Sequence, residues 1–327
     1  MKKVFNAIIY VVIICLLGCN SSIKEDRALP YRFASKEEAI KYYLSNDEYF
    51  NSFSEYDIQY RSQSIDGNVE SVKEYGAKQM LEFTDNEKEI LSSAMDELET
   101  IIKDNGYHLP KIDEIVFIKS TQKEEGGSVA YTHGTQIYMN NIIPIYLRTS
   151  KENHEKGLYV LAHEIFHCLT RCNKDFRSDI YKLINFTVND KDFEIADEVK
   201  RITISNPDVE HHDAYATFNI NNKDKDCYML NISAKPFEKP GDEYSTYYKF
   251  ILVPVNKEAD DKDYYIIDEA KDYWNVFGEN TKYVADPEEC MADNFGYALS
   301  YGLNGSIKYN NPEIIEGIID ILKNNKY

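Results

Sequence analysis

Three observations predict an α+β fold for this chain. Capped helical segments fill the first third, strand-like alternation begins near Glu114, and the two textures then succeed each other as helix, strands and helices instead of interleaving as βαβ units. Apolar residues make up 43% of the 327 positions, enough for the core of one large domain. No internal repeat and no Pro/Gly/Ser-rich linker interrupts residues 35–327, so a single domain with sub-lobes is expected.

In chain order, residues 1–18 (MKKVFNAIIYVVIICLLG) open with two lysines and continue through an apolar run too short to span a bilayer comfortably, reaching Cys19. This reads as an export signal. The boundary LLGC resembles the bacterial lipoprotein signal, which implies cleavage before Cys19 and attachment of acyl chains such as palmitate to it. Two or more chains anchor firmly where one only visits. The body would then sit in the bacterial cell envelope, outside the cytoplasm, with residues 19–34 as a lipidated tether. Read instead as an N-terminal membrane helix, the same stretch still leaves the body outside. The net charge of −19 excludes nucleic acid and anionic lipid as partners of the body, because both repel it.

Residues 35–110 read as the helical part. Ser35 with Glu38 and Thr84 with Glu87 are N-cap pairs, and Gly106 ends the second long helix. IVFIKS and SVAYTHGTQIYM then alternate as strands, with His133-Gly134 as a hairpin turn. After an oily helix and a shorter one near Asp175 to Phe186, AYATFNI, CYMLNIS, YYKFILVPV and DYYIID form an expected antiparallel meander. Two helices close the chain at Asp286-Pro287 and Asn311-Pro312, each with proline in the first helical position.

The oily helix carries the chemistry. In YVLAHEIFHCLTR, residues 159–171, His163 and His167 lie four apart and so share one helix face, with Glu164 beside them. This is the HExxH arrangement for zinc, Zn2+. Zinc takes neutral imidazoles at about 2.0–2.1 Å, and a catalytic site leaves one position for water, which the adjacent glutamate can deprotonate. Leu158, Val160, Leu161, Ala162, Ile165, Phe166 and Leu169 make the helix apolar almost all round. Burying His, Glu and His there without partners would cost several kcal/mol, so the three are exposed, hydrogen-bonded or bound to something.

A third metal ligand is expected from DPEECMADNFGYAL, where Glu289 and Asp293 are again four apart on a predicted helix. One carboxylate would bind metal and the other would orient a ligand histidine. Glu289 also stands where it could close a capping box with Asp286, which would explain it without metal. Here the sequence resembles the gluzincins, zinc metallopeptidases typified by thermolysin, which pair HExxH with a downstream ExxxD. The resemblance covers HEIFH at 163–167 and EECMAD at 288–293. It implies that His163, His167 and Glu289 bind zinc, that Glu164 is the catalytic base, and that Asp293 orients a histidine. It further implies a zincin-like fold with a small sheet, whose edge strand, TQIYM just before the central helix, receives an extended substrate. Residues 111–200 and 281–327 would be the catalytic core and 201–280 an inserted β meander. The stretch from Glu164 to Glu289 is far longer than in thermolysin.

Other third ligands match less well. Asp179 lacks the preceding glycine-threonine motif of the aspzincins, and CLTRCNKDF lacks the metzincin glycine and histidine. His211, His212 and Tyr131 are candidates to steady an oxyanion, while His108 and His154 read as surface residues and His133 as a turn residue. Cys168, Cys172, Cys227 and Cys290 remain after the signal and the lipidated cysteine, and their pairing is unreadable. The expected activity is hydrolysis of peptide bonds in a peptide or protein substrate by a membrane-anchored enzyme. The alternatives are a lipid-anchored surface binding protein with a structural or degenerate metal site, and a zinc hydrolase acting on another bond.

Overall fold

The structure, a computed structural model, describes residues 27–242, 247–324 and 327. The signal segment and Cys19, which carry the lipid-anchor expectation, lie outside the described residues. The fold is α+β, with helices around two small sheets.

The chain is already folded where the tether was expected to continue to residue 34. Leu29 is fully buried, and β1 (Tyr31–Phe33) pairs in parallel with β3 (Ile115–Ser120). The cause is aromatic: Tyr31 and Phe33 both pack their rings on Phe117. The helical part follows as α1 (Lys36–Leu44), α2 (Asp47–Ser52), α3 (Glu55–Ser62), α4 (Val69–Ala77) and α5 (Asp85–Asn105). Ser35 with Glu38 and Thr84 with Glu87 form the predicted capping boxes, and Gly106 ends α5 in the left-handed region at φ 65°. Between α4 and α5, β2 (Met80–Leu81) pairs with the end of β3.

The first sheet runs β1, β3, β5 (Gln136–Met139), β4 (Ala130–His133). Gly134, at φ 55°, turns the hairpin that lays β4 antiparallel on the outer side of β5. The edge strand is therefore Ala130–His133, and not TQIYM, which pairs on both sides. Strand alternation gives the sheet two apolar faces. Ile115, Phe117, Ile137 and Met139 face one core; Val116, Ile118, Tyr131 and Tyr138 face another, built with α1 and α4. His133, read as a turn residue, is instead the last paired residue of β4, with its ring buried against Tyr49 and Tyr131.

Next come α6 (Ile142–Thr149), the long α7 (Lys151–Cys172) and α8 (Lys174–Lys182). The second sheet is a five-stranded antiparallel meander: β6 (Thr187–Val188), then α9 (Asp197–Lys200), β7 (Ala214–Ile220), β8 (Lys223–Ser233), β9 (Tyr248–Pro254) and β10 (Tyr265–Ile266). It begins at Thr187, earlier than the boundary of 201, because β6 pairs with β7 across the loop between them. Asn221 and Asn222, both at positive φ, make its tightest turn. The chain closes through α10 (Tyr273–Phe277), α11 (Pro287–Ser300) and α12 (Pro312–Asn324), the last two opened by their prolines as predicted. Among the described residues, no helix is long and apolar enough to cross a membrane.

Two close contacts hold these elements against one another. First, α11 runs antiparallel against α7 at close range, because Gly296 has no side chain: a Cβ there would lie 2.9 Å from the Tyr159 carbonyl oxygen. Second, a buried ionic knot ties the helical part to the meander. Arg61 pairs with Asp57 and Glu125, and Asp57 and Arg61 together grip both backbone groups and the hydroxyl of Ser205.

Gly296→Ala tests the helix crossing. In an open helix the change gains about 1 kcal/mol, but here the added methyl meets backbone, so a loss of about 1–3 kcal/mol is expected in thermal or denaturant unfolding. Glu124 supplies a second test. Burial raises its carboxyl from 4.5 to about 7, beside the Tyr131 hydroxyl. The folded value lies above the unfolded one, so for this acid stability is present at low pH and is lost as pH rises through that window. The loss approaches about 3 kcal/mol above pH 7. Glu124→Gln should remove it: melting temperatures of the variant relative to wild type should climb between pH 5 and pH 8.

Candidate metal centre

Along α7 the burial is unbroken from Leu161 to Thr170, and His163, Glu164 and His167 are inside it. Their partners come from α11. His163 Nδ1 faces Asp293 Oδ1 at 2.9 Å, and His167 Nδ1 faces Glu288 Oε1 at 2.8 Å. Both rings therefore donate through Nδ1, which leaves each Nε2 lone pair pointing inward. Each orienting carboxylate is held in turn: Asp293 accepts from Tyr159 and Thr281, and Glu288 from Thr170 and Tyr181.

The two Nε2 atoms converge on Glu289. Its Oε2 lies 3.3 Å from His163 Nε2 and 3.6 Å from His167 Nε2, and the two rings stand 4.8 Å apart at 82°. A tetrahedral zinc ion with ligands at about 2.0–2.1 Å separates its donors by about 3.3 Å, so the spacing suits one ion. Glu289 Oε2, His167 Nε2 and Glu164 Oε2 are buried without a hydrogen-bond partner. Three such orphans at one point mark a place built for a ligand. The other oxygen of Glu289 accepts from Asn206 and from the Tyr283 hydroxyl. The alternative capping box does not form: the Asp286 side chain accepts from the Glu288 backbone, and Glu289 turns inward.

The electrostatics favour a cation. Glu164, Asp208, Glu288, Glu289 and Asp293 surround two imidazoles. Burial raises the Glu164 carboxyl to about 8, and the Asp208 charge adds to the rise. Burial would lift Glu289 too, but the His163 imidazole 3.3 Å away and the His167 charge hold it at about 2. Burial alone would lower His163, yet Asp293 and Glu289 raise it well above its ordinary range. The cluster attracts positive charge, as a proton on the histidines or as a metal ion.

One donor atom each from His163, His167 and Glu289 lies within 4.8 Å of the others, and Glu164, His167 and Asp208 form a second such group. The predicted oxyanion candidates do not join them. Tyr131 points to the opposite face of its strand, stacked on Tyr138 and bonded to Glu124. His211 is exposed beside Asp192, and His212 lines the same outer cleft. His108 is exposed; His154 is part-buried and bonds Leu147 and Glu97. All four described cysteines are free, and Cys290 faces Phe277 and Asn294.

Sequence reasoning missed Glu288, Asn206, Asp208, Thr281 and Tyr283. Glu288 was legible as the first of the adjacent glutamates in EEC, and NPD carries the signature of a β-turn with proline at its second position. Nothing in the residue pattern ties that turn, or Tyr283, to the histidines. Comparison with protein-family models, with curated proteins and with solved structures finds no match.

Asp293→Asn and Glu288→Gln should each weaken metal binding by about 10–100-fold without abolishing it, since they hold the histidines and not the ion. Competition titration against a chelator measures this. Equal affinity in wild type and both variants would refute the orienting role.

Proposed function

We propose that the protein is a zinc-dependent metallopeptidase of gluzincin type, built on a zincin-like core and held by lipid on Cys19 at the bacterial cell envelope. The observation that carries this reading is the convergence of the His163 and His167 Nε2 atoms on Glu289 Oε2, with the unpartnered Glu164 carboxylate alongside. Support also comes from β4, an antiparallel edge strand next to α7, which offers an extended peptide backbone partners.

In this reading His163, His167 and Glu289 hold the ion, and zinc so held supplies Lewis acidity toward water and toward a substrate carbonyl. Asp293 and Glu288 keep both imidazoles in the Nε2-inward tautomer. Glu164 takes the proton of the attacking water and returns it to the departing amine. A cation beside Glu164 opposes the burial and the negative neighbour that lift its pKa, and so restores the carboxylate a base requires. The Tyr283 hydroxyl donates to Glu289 from a side chain that is partly exposed, and so offers a neutral donor beside the site.

A second reading, a lipid-anchored surface binding protein with a structural or degenerate metal site, is favoured by one observation. Asp208 brings a further carboxylate to the cluster, as a closed four-donor site would. Against it stands Glu164, whose buried orphan carboxylate a purely structural site has no use for.

Glu164→Gln separates the two. The variant should keep its metal by elemental analysis and lose about 10²–10⁴-fold in cleavage of a peptide library. Equal cleavage by wild type and variant would show that the base is misassigned, and a wild type without metal would remove the reading altogether.

A further inference from the structure

The turn Asn206–Val209 lies where a substrate of the proposed enzyme should. Asp208 Oδ1 accepts from the Thr132 backbone N–H at 2.7 Å and from its hydroxyl at 2.8 Å. That N–H belongs to the edge strand β4, and it is the donor an added peptide strand would use. Glu210 takes the next outward N–H, at Gly134. Arg171, one helical turn beyond His167, donates to the carbonyls of Pro207 and Asp208. The substrate edge is therefore already occupied, by a segment of the same chain.

The turn also reaches the ion site. A carboxylate oxygen of Asp208 lies within 4.8 Å of donor atoms of Glu164 and His167. His167 Nδ1 is committed to Glu288, so only Nε2 serves a metal, and one lone pair serves one ion. The two donor groups therefore meet at this one nitrogen. Asn206 links them, donating to Glu289 through Nδ2 and accepting the Asp208 N–H through Oδ1.

We propose that Asp208 is a fourth, displaceable protein ligand of this ion, and that the turn carrying it holds the substrate's place on β4 in the resting protein; this rests on the metallopeptidase reading above. Its stem is fixed, since Ser205 is gripped by Asp57 and Arg61, and Asp213 beyond the turn pairs with Arg177. The turn between has somewhere to go: its outer face bounds an open cleft of about 620 Å³ walled by α2 and the β4–β5 turn. An entering peptide strand would exchange its own carbonyl for Asp208 at Thr132, and water would take the vacated position beside Glu164.

The test uses the full-length protein loaded with Co2+, read by its visible absorption, with acetohydroxamate as a probe of the free coordination position. Asp208→Asn keeps an acceptor for Thr132 and removes the anionic ligand. It should change the Co2+ spectrum and bind acetohydroxamate at least about tenfold more tightly than wild type, because a closed site taxes affinity by its open fraction. In wild type, hydrogen exchange at the Thr132 amide should be slow and should accelerate when acetohydroxamate binds. Identical spectra and affinities in wild type and variant, with Co2+ lost in His163→Ala, would overturn the role of Asp208 and leave the metal site standing. Should the variant not fold, a Thr132 amide that stays protected in wild type with acetohydroxamate bound would overturn it equally. No Co2+ uptake by wild type would sink both readings.

Discussion

The structure depends on one desolvated contact, the crossing of α7 with α11. Two imidazoles and three carboxylates meet there, all buried, and each imidazole–carboxylate pair fixes the register of one helix on the other: Glu288 on His167, Asp293 on His163. Such groups are costly to bury singly and tolerable only when their partners arrive together. Gly296, one turn past Asp293, lets the backbones come close enough for both pairs to form at hydrogen-bonding distance. Apolar packing of Phe166 on Phe295 on the far side of the crossing supplies the non-directional part of the adhesion.

That crossing dictates the surrounding arrangement. The pairs consume the outer nitrogens of both rings and leave the inner nitrogen of His167, with Glu289 Oε2, unpaired. A cluster so rich in acid cannot remain without compensation. Arg171 and Arg177 lie beside it on α7 and α8, and both reach the segment between Asn206 and Asp213. The meander is thus no bystander to the crossing of α7 with α11. Its leading loop is pinned from the other side by the Arg61 knot, so the helical part, the sheet edge and the loop meet at the same place.

The fold was legible where local chemistry decides it. Ser35, Thr84 and Gly106 punctuate helices through bonds within a few residues, and Pro287 and Pro312 open helices by their own ring geometry. Pairing across distance was not legible. TQIYM and AYTH alternate alike, and only the position of β3 decides which is interior. The strand at Tyr31 read as tether because three residues hold no periodicity, and its reason to fold is Phe117, far along the chain. At the centre, HExxH fixes two imidazoles on one helix face by spacing alone, with Glu164 beside them, and Glu289 with Asp293 follow the same rule on α11. Asn206 and Asp208 act through a loop, where spacing carries no direction, and so they left no trace beyond a turn signature.

Glu164 is where the competing readings of the site part. A protein that needs only a metal cross-link gains nothing from a carboxyl buried at 4% exposure, raised to about 8 by its surroundings and lacking a partner for one oxygen. Burial of that kind costs stability unless something enters to compensate it. Asp208 does not compensate it, because like charge worsens the problem. A cation would, and under the proposed reading it would leave Glu164 free to act as a base. Under the proposed metallopeptidase reading, the uncompensated burial of Glu164 is intelligible as preparation for proton transfer, and Asp208 as the group that holds the place until a substrate arrives.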